Sequence, residues 1–135
     1  MNKKLEQYLN DHATPEDPVL EDLYRQTHIR FINPNMVSGH LQGKFLESIS
    51  GMISPERILE IGTFTGYSAI CLARGLKPGG KLMVIDWKKT GAPFGPPVSD
   101  RISPEDVKNF AQSAGLRLSD EFDAGPYHFG LIFIK

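Results

Sequence analysis

Apolar positions along this chain follow a helical period first and a strand period later, with the change near residue 55. Lys4 to Asn10 forms a short amphipathic start. Thr14-Pro-Glu-Asp17 offers an N-cap, a proline in the first turn and early acids for a second helix. That helix carries Leu20, Leu23, Tyr24 and Ile29 on its apolar stripe, and Asn33-Pro34 breaks it. A third helix is expected from about Ser38, with Leu41, Phe45, Ile49 and Met52 on one face, until Ser54-Pro55 ends it. Shorter apolar runs follow: a strand at Arg57–Ile61, a helix at Gly66–Arg74 and a strand at Lys81–Asp86. Residues 87–102 are rich in proline and glycine, have no period and read as a long loop. Ser103-Pro104-Glu105 starts a capped helix that runs through Val107, Phe110 and Ala111 to a C′ glycine at Gly115. Leu116–Phe122 and His128–Ile134 are β runs joined at Gly125-Pro126.

Strand, helix, strand in that order predicts a right-handed parallel βαβ unit. The last β run has almost no polar face, which predicts an inner strand covered on both sides, with Ile132 in the core. Leu116–Phe122 alternates and suits an edge. The expected fold class is therefore α/β, with about four strands in order 1-2-4-3; that the last is antiparallel is what the family resemblance given below implies. The helix at 66–74 and the N-terminal helices would lie on one face and the helix at 103–115 on the other. The unpaired edge of strand one favours association with another chain, and a homodimer is expected.

At 135 residues the length suits one domain: a helical segment at 1–53, a βαβ unit at 54–86, and a loop, helix and β pair at 87–135. The net charge of −1 and the lack of a basic cluster give no reason to expect nucleic acid. No apolar stretch approaches the roughly 20 residues of a membrane span. The charged start Met-Asn-Lys-Lys lacks an apolar signal core, so a cytoplasmic location is expected. The single cysteine, Cys71, sits among Ala69, Ile70 and Leu72, which reads as a buried, inert thiol. The four histidines lack ligand spacing, so no metal site is expected; His40 is notable only for its neighbourhood.

The densest chemistry lies at residues 58–68, Ile-Leu-Glu-Ile-Gly-Thr-Phe-Thr-Gly-Tyr-Ser. A strand that stops at Gly62 and turns into a helix after Gly66 brings free helix N–H groups to the strand's carboxyl edge, where open α/β sheets bind nucleotides. Glycine spacing alone fits an ordinary βα turn equally well. The register adds Asp86, which ends the next apolar run 26 residues after Glu60, against roughly 20 in dinucleotide folds. A carboxylate there can accept from both hydroxyls of a ribose. With Glu60, Gly62, Gly66, Tyr67 and Ser68 in place, the stretch resembles motif I of the S-adenosylmethionine (SAM) dependent methyltransferases with a Rossmann-like fold, in particular the catechol and caffeoyl-CoA O-methyltransferase family. The segment Asn33-Pro-Asn-Met-Val-Ser-Gly-His-Leu-Gln-Gly43 resembles the part of that family that lies over the methionine end of SAM.

The resemblance implies SAM as cofactor and a set of contacts to it. Gly62 would admit the cofactor to the backbone, with Thr63 and Gly66 in the same turn. Glu60 would accept from the methionine ammonium and Ser68 would bond its carboxylate. Asp86 would hold the ribose, and Met36 and Ser38 would close over the methionine portion. No residue is assigned a catalytic role, because neither a general base nor a metal-binding Asp/Asn cluster follows Asp86.

The tail points to a second branch. Leu76-Lys-Pro-Gly-Gly80, Arg101-Ile-Ser-Pro-Glu105 and Glu121-Phe-Asp-Ala-Gly-Pro-Tyr-His-Phe-Gly130 resemble the C-terminal part of the type 11 methyltransferases. A full sheet of this family has seven strands and this chain has material for four, which suggests a chimera with an internal deletion. Three functional readings follow: a SAM-dependent O-methyltransferase, a chimeric domain that folds without catalysis, and a dinucleotide binder. The last is disfavoured because Gly62-x-x-x-Gly66 lacks the paired early glycines.

Overall fold

The computed structural model describes residues 2–135. Five helices, α1 (Lys3–His12), α2 (Pro18–Arg30), α3 (His40–Ile53), α4 (Tyr67–Ala73) and α5 (Pro104–Ser113), accompany four strands, β1 (Arg57–Ile61), β2 (Lys81–Trp87), β3 (Arg117–Asp123) and β4 (His128–Ile134). The sheet order is β1-β2-β4-β3, with β1 parallel to β2 and β4 antiparallel to both of its neighbours. The order and the inner position of β4 are as expected from its apolar content.

The placement of α5 corrects the expectation that helices lie on both faces. Ala69 and Ala73 of α4 share one core cluster with Val107 and Ala111 of α5, over Leu82, Val84, Leu131 and Phe133. Both crossovers are parallel, since two antiparallel steps make β3 parallel to β2, and both advance the same way across the sheet. Right-handed crossovers that advance in one direction put their helices on one face. The strand β4 is accordingly covered on one side only. Phe129, Leu131 and Phe133 are buried, whereas Ile132 and Ile134 are half-exposed on the other side.

The N-terminal helices depart from the pattern in two more places. The cap of α2 is Asp17, whose carboxylate accepts from the Val19 N–H at 2.8 Å, and the N1 proline is Pro18, so the helix starts three residues later than Thr14-Pro15 suggested. Its buried residues are Leu20, Leu23 and Thr27, while Ile29 points to solvent. On α3 the apolar stripe is outward: Phe45 and Met52 are 64% and 79% exposed. The buried face is Gly43 and Ser50. Close approach to α4 decides this. A Cβ at Gly43 would lie 2.7 Å from the Tyr67 ring, and one at Gly75, just past α4, would lie 2.2 Å from the Ser50 backbone. The Ser50 hydroxyl donates to the Leu72 carbonyl at 2.6 Å across the same contact.

Candidate functional site

The carboxyl ends of β1 and β2 meet at residues 60–68 and Asp86. The Gly62 N–H donates to the Ile85 carbonyl at 2.9 Å, extending the β1–β2 ladder by one residue. The chain then leaves the sheet through left-handed backbone at Gly62 (φ 82°), Phe64 (φ 51°) and Gly66 (φ 92°), closed by a Gly66 N–H to Thr63 carbonyl bond of 2.9 Å. Glycine suits two of these positions because it carries no penalty at positive φ.

Asp86 holds this turn. One carboxylate oxygen accepts from the Thr63 and Phe64 N–H groups at 2.8 and 2.9 Å, and the other accepts from the Trp87 N–H at 2.6 Å. Burial pushes its carboxyl above the usual carboxylate range, opposed by those N–H groups. Glu60 shares the site: one of its oxygens accepts from the Ser68 hydroxyl at 2.8 Å. Its other oxygen and the Thr63 hydroxyl are buried without a hydrogen-bond partner. Burial raises the Glu60 carboxyl too, opposed by the Ser68 hydroxyl and then by the nearby Thr63 hydroxyl, and the neighbouring Asp86 charge adds to the rise.

Of the residues singled out in the sequence, Glu60, Gly62, Thr63, Gly66, Ser68 and Asp86 converge here. Met36 and Ser38 lie on the segment between α2 and α3, Met36 in a 3-10 turn at Pro34–Met36 with its side chain exposed. Among the described residues no hydrogen bond joins either of them to the turn. The segment is held nearby by other contacts, which sequence spacing did not single out. The Phe31 and Phe64 rings meet edge to face at 5.0 Å, the buried Thr27 hydroxyl donates to that of Thr65 at 3.1 Å, and the Asn33 amide donates to Asp100 at 2.7 Å. Thr27 could have been found as the polar residue continuing the Leu20, Leu23 stripe; the Asn33–Asp100 pair leaves no local signal. Arg101 pins the 88–101 loop by donating to the carbonyls of Lys88, Thr90 and Pro96 and lying 5.1 Å over the Trp87 ring.

The Cys71 thiol is fully buried, and burial pushes it up to about 12, so it stays protonated and inert. Among the described residues no group of three or more His, Cys, Asp or Glu side chains is arranged to hold a metal ion, and no helix is long and apolar enough to cross a membrane.

Comparison with known proteins places this geometry in a family. The family model described as O-methyltransferase matches residues 10–135. The chain is 27% identical over 132 residues to caffeoyl-CoA O-methyltransferase 2 of Petunia hybrida, covering 96% of this chain and 54% of that one. It is 29% identical over 127 residues to a catechol O-methyltransferase of Mycobacterium tuberculosis, covering 94% and 56%. Among solved structures it resembles a SAM dependent methyltransferase from Aquifex aeolicus, at 29% identity and a TM-score of 0.54, over 60% of this chain and 46% of that one. The chain thus spans about half the length of the curated relatives it matches.

Proposed function

The chain belongs to the O-methyltransferase family, and from that premise we propose that it binds SAM at the turn between β1 and α4. The observation that carries this reading is the pair of buried, partnerless acceptors, Glu60 Oε2 and Thr63 Oγ1, beside a turn already locked by Asp86. The open Glu60 oxygen and the Thr63 hydroxyl, beside the second buried carboxyl of Asp86, fit an ammonium group such as that of the methionine portion. Ser68, now donating to Glu60, would share the methionine end, and Gly62 and Gly66 leave the backbone open to the ligand. Asp86 has already committed both oxygens to backbone N–H groups, so its hold on a ribose would use their remaining lone pairs. Met36 and Ser38 would approach from the 33–38 segment.

SAM, when bound, supplies a methyl group on a positively charged sulfur. Transfer to an acceptor then depends on positioning and on a base or metal to activate the acceptor. No residue of this chain is assigned that second role. A second reading is a recombined, internally shortened domain that folds and binds cofactor weakly but performs no catalysis. On either reading the protein works as a single cytoplasmic domain, associates as a homodimer, and has small molecules rather than nucleic acid or membrane as partners.

Calorimetric titration with SAM tests the proposal. Wild type should bind, and Asp86→Ala should weaken binding by about 1–3 kcal/mol, the cost of a lost charge-assisted hydrogen bond and a loosened turn. Glu60→Gln should also weaken it while leaving the turn intact. Equal affinity in all three proteins would remove the site from this turn.

A further inference from the structure

Strand register sets Gly62, Asp86, Phe129 and Asp123 side by side across the sheet, along the edge formed by the carboxyl ends of β1 and β2. The turn described above uses only the first two. Past Asp86 the edge opens into a cleft of about 530 Å³, inside the roughly 300–1,000 Å³ range of small-molecule sites. Buried Phe129 gives it an apolar floor, and Pro104, at the start of α5, an apolar wall. On the β3 side the Phe122 ring lies against Gly130, where a Cβ would come within 2.3 Å of it. The rim at Lys88 and Thr90 is fixed by Arg101. That guanidinium is buried and donates to the carbonyls of Lys88 and Thr90 at 2.9 and 2.7 Å. A buried cation used to hold a loop keeps the cleft preformed.

We infer that this cleft takes the adenine end of SAM, so that the cofactor runs across the sheet from β1 towards β3. The inference rests on the SAM reading above and extends it to residues of the β3–β4 tail. Order along the edge is one argument. With the methionine end at Glu60 and Thr63 and the ribose at Asp86, the base falls to the next strand. Distance is another: at a strand spacing of about 4.8 Å, Asp123 lies about 10 Å beyond Asp86, which suits a ribose and its base. Chemistry is the third. An apolar floor with an aromatic side chain receives the face of a base. The Lys88 ammonium and the Asp123 carboxylate, 2.6 Å apart on the rim, present a donor beside an acceptor. Adenine offers the matching edge, a ring nitrogen that accepts beside an amino group that donates. Hypoxanthine carries a carbonyl oxygen in place of that amino group and would turn a lone pair towards Asp123.

Calorimetric titration of the full chain with adenosine, inosine and SAM tests the cleft. Wild type should bind adenosine about fivefold more tightly than inosine, the low end for a base-reading pair because the Asp123 side chain is 83% exposed. Asp123→Ala should abolish that preference, with an unchanged far-UV circular dichroism spectrum. Thr90→Trp, which fills the cleft, should weaken adenosine and SAM alike by about tenfold, as loss of the base's stacking surface requires. SAM binding that responds to Glu60→Gln but to neither cleft variant would overturn the cleft and leave the turn standing. Adenosine binding that follows the cleft variants in a protein with no affinity for SAM would keep the cleft and overturn the methionine site. Equal affinity of wild type for adenosine and inosine, or none for adenosine, would overturn the cleft.

Discussion

The two faces of this sheet are built from neighbouring residues of the same strands, yet they have different surroundings. On one, Leu82, Val84, Leu131 and Phe133 sit under α4 and α5 at the centre of the main core. On the other, Met83, Ile85, Ile132 and Ile134 have equally apolar side chains and, among the described residues, no helix above them. Apolar character alone does not say which face a domain covers; the direction of the crossovers does. Here both run the same way, and one face is left without a layer.

The largest expected effect separates adjacent residues of β4. Leu131→Asp puts a carboxylate into a site 1% exposed with no partner, which should cost on the order of 4 kcal/mol or more and unfold the domain. Ile132→Asp, one residue on, places the same charge on the bare face and should cost about 1 kcal/mol in the isolated chain. Urea unfolding followed by circular dichroism distinguishes them. Equal losses would mean that the second face is covered, and the contrast between the faces would be gone.

A smaller effect sharpens the covered side, which is two layers deep because α3 lies on α4. Gly75→Ala would drive a methyl group to 2.2 Å from the Ser50 backbone, so the helices must part, at about 1–3 kcal/mol. Gly51→Ala, next to that same serine but facing open space, should instead stabilise by up to about 1 kcal/mol through helix propensity. Thermal melts of the two variants should move in opposite directions.

These contacts show what the sequence could and could not disclose. The inner place of β4 beside β3 was legible because β4 is so apolar and β3 so polar, while its antiparallel run next to β2 was legible through the family resemblance. The turn at Gly62–Gly66 was legible because positive φ selects glycine at fixed spacing. The face of α3 was not. Its apolar stripe of Phe45, Ile49 and Met52 obeys the usual rule, but a helix packed through Gly43 and Ser50 follows the size of the contact rather than its hydrophobicity. The joint role of Asp86 was half legible. Its position at the strand end marked it as functional, while its three backbone partners are set by a turn whose geometry no local pattern encodes. The Asn33–Asp100 bond spans 67 residues and leaves no trace in either neighbourhood.

The smallest expected effect lies where the sheet ends, in the pH dependence that Glu60 and Asp86 impose. Burial raises both carboxyls in the folded protein. Between the ordinary carboxylate range, about pH 4, and the raised values, the folded chain holds protons that the unfolded chain has released. Stability contributed by these groups is therefore greatest at the acidic end and falls as pH rises through that window, then levels off once both states are ionised. This is the reverse of a carboxylate held by a salt bridge. Melting temperatures across the window should decline for wild type relative to Glu60→Gln, which cannot ionise there. Saturating SAM should flatten the decline, because an ammonium beside Glu60 favours its charged form. A wild-type profile parallel to that of Glu60→Gln would show that the Glu60 carboxyl is not desolvated, and the partnerless oxygen on which the cofactor reading rests would then be in contact with water.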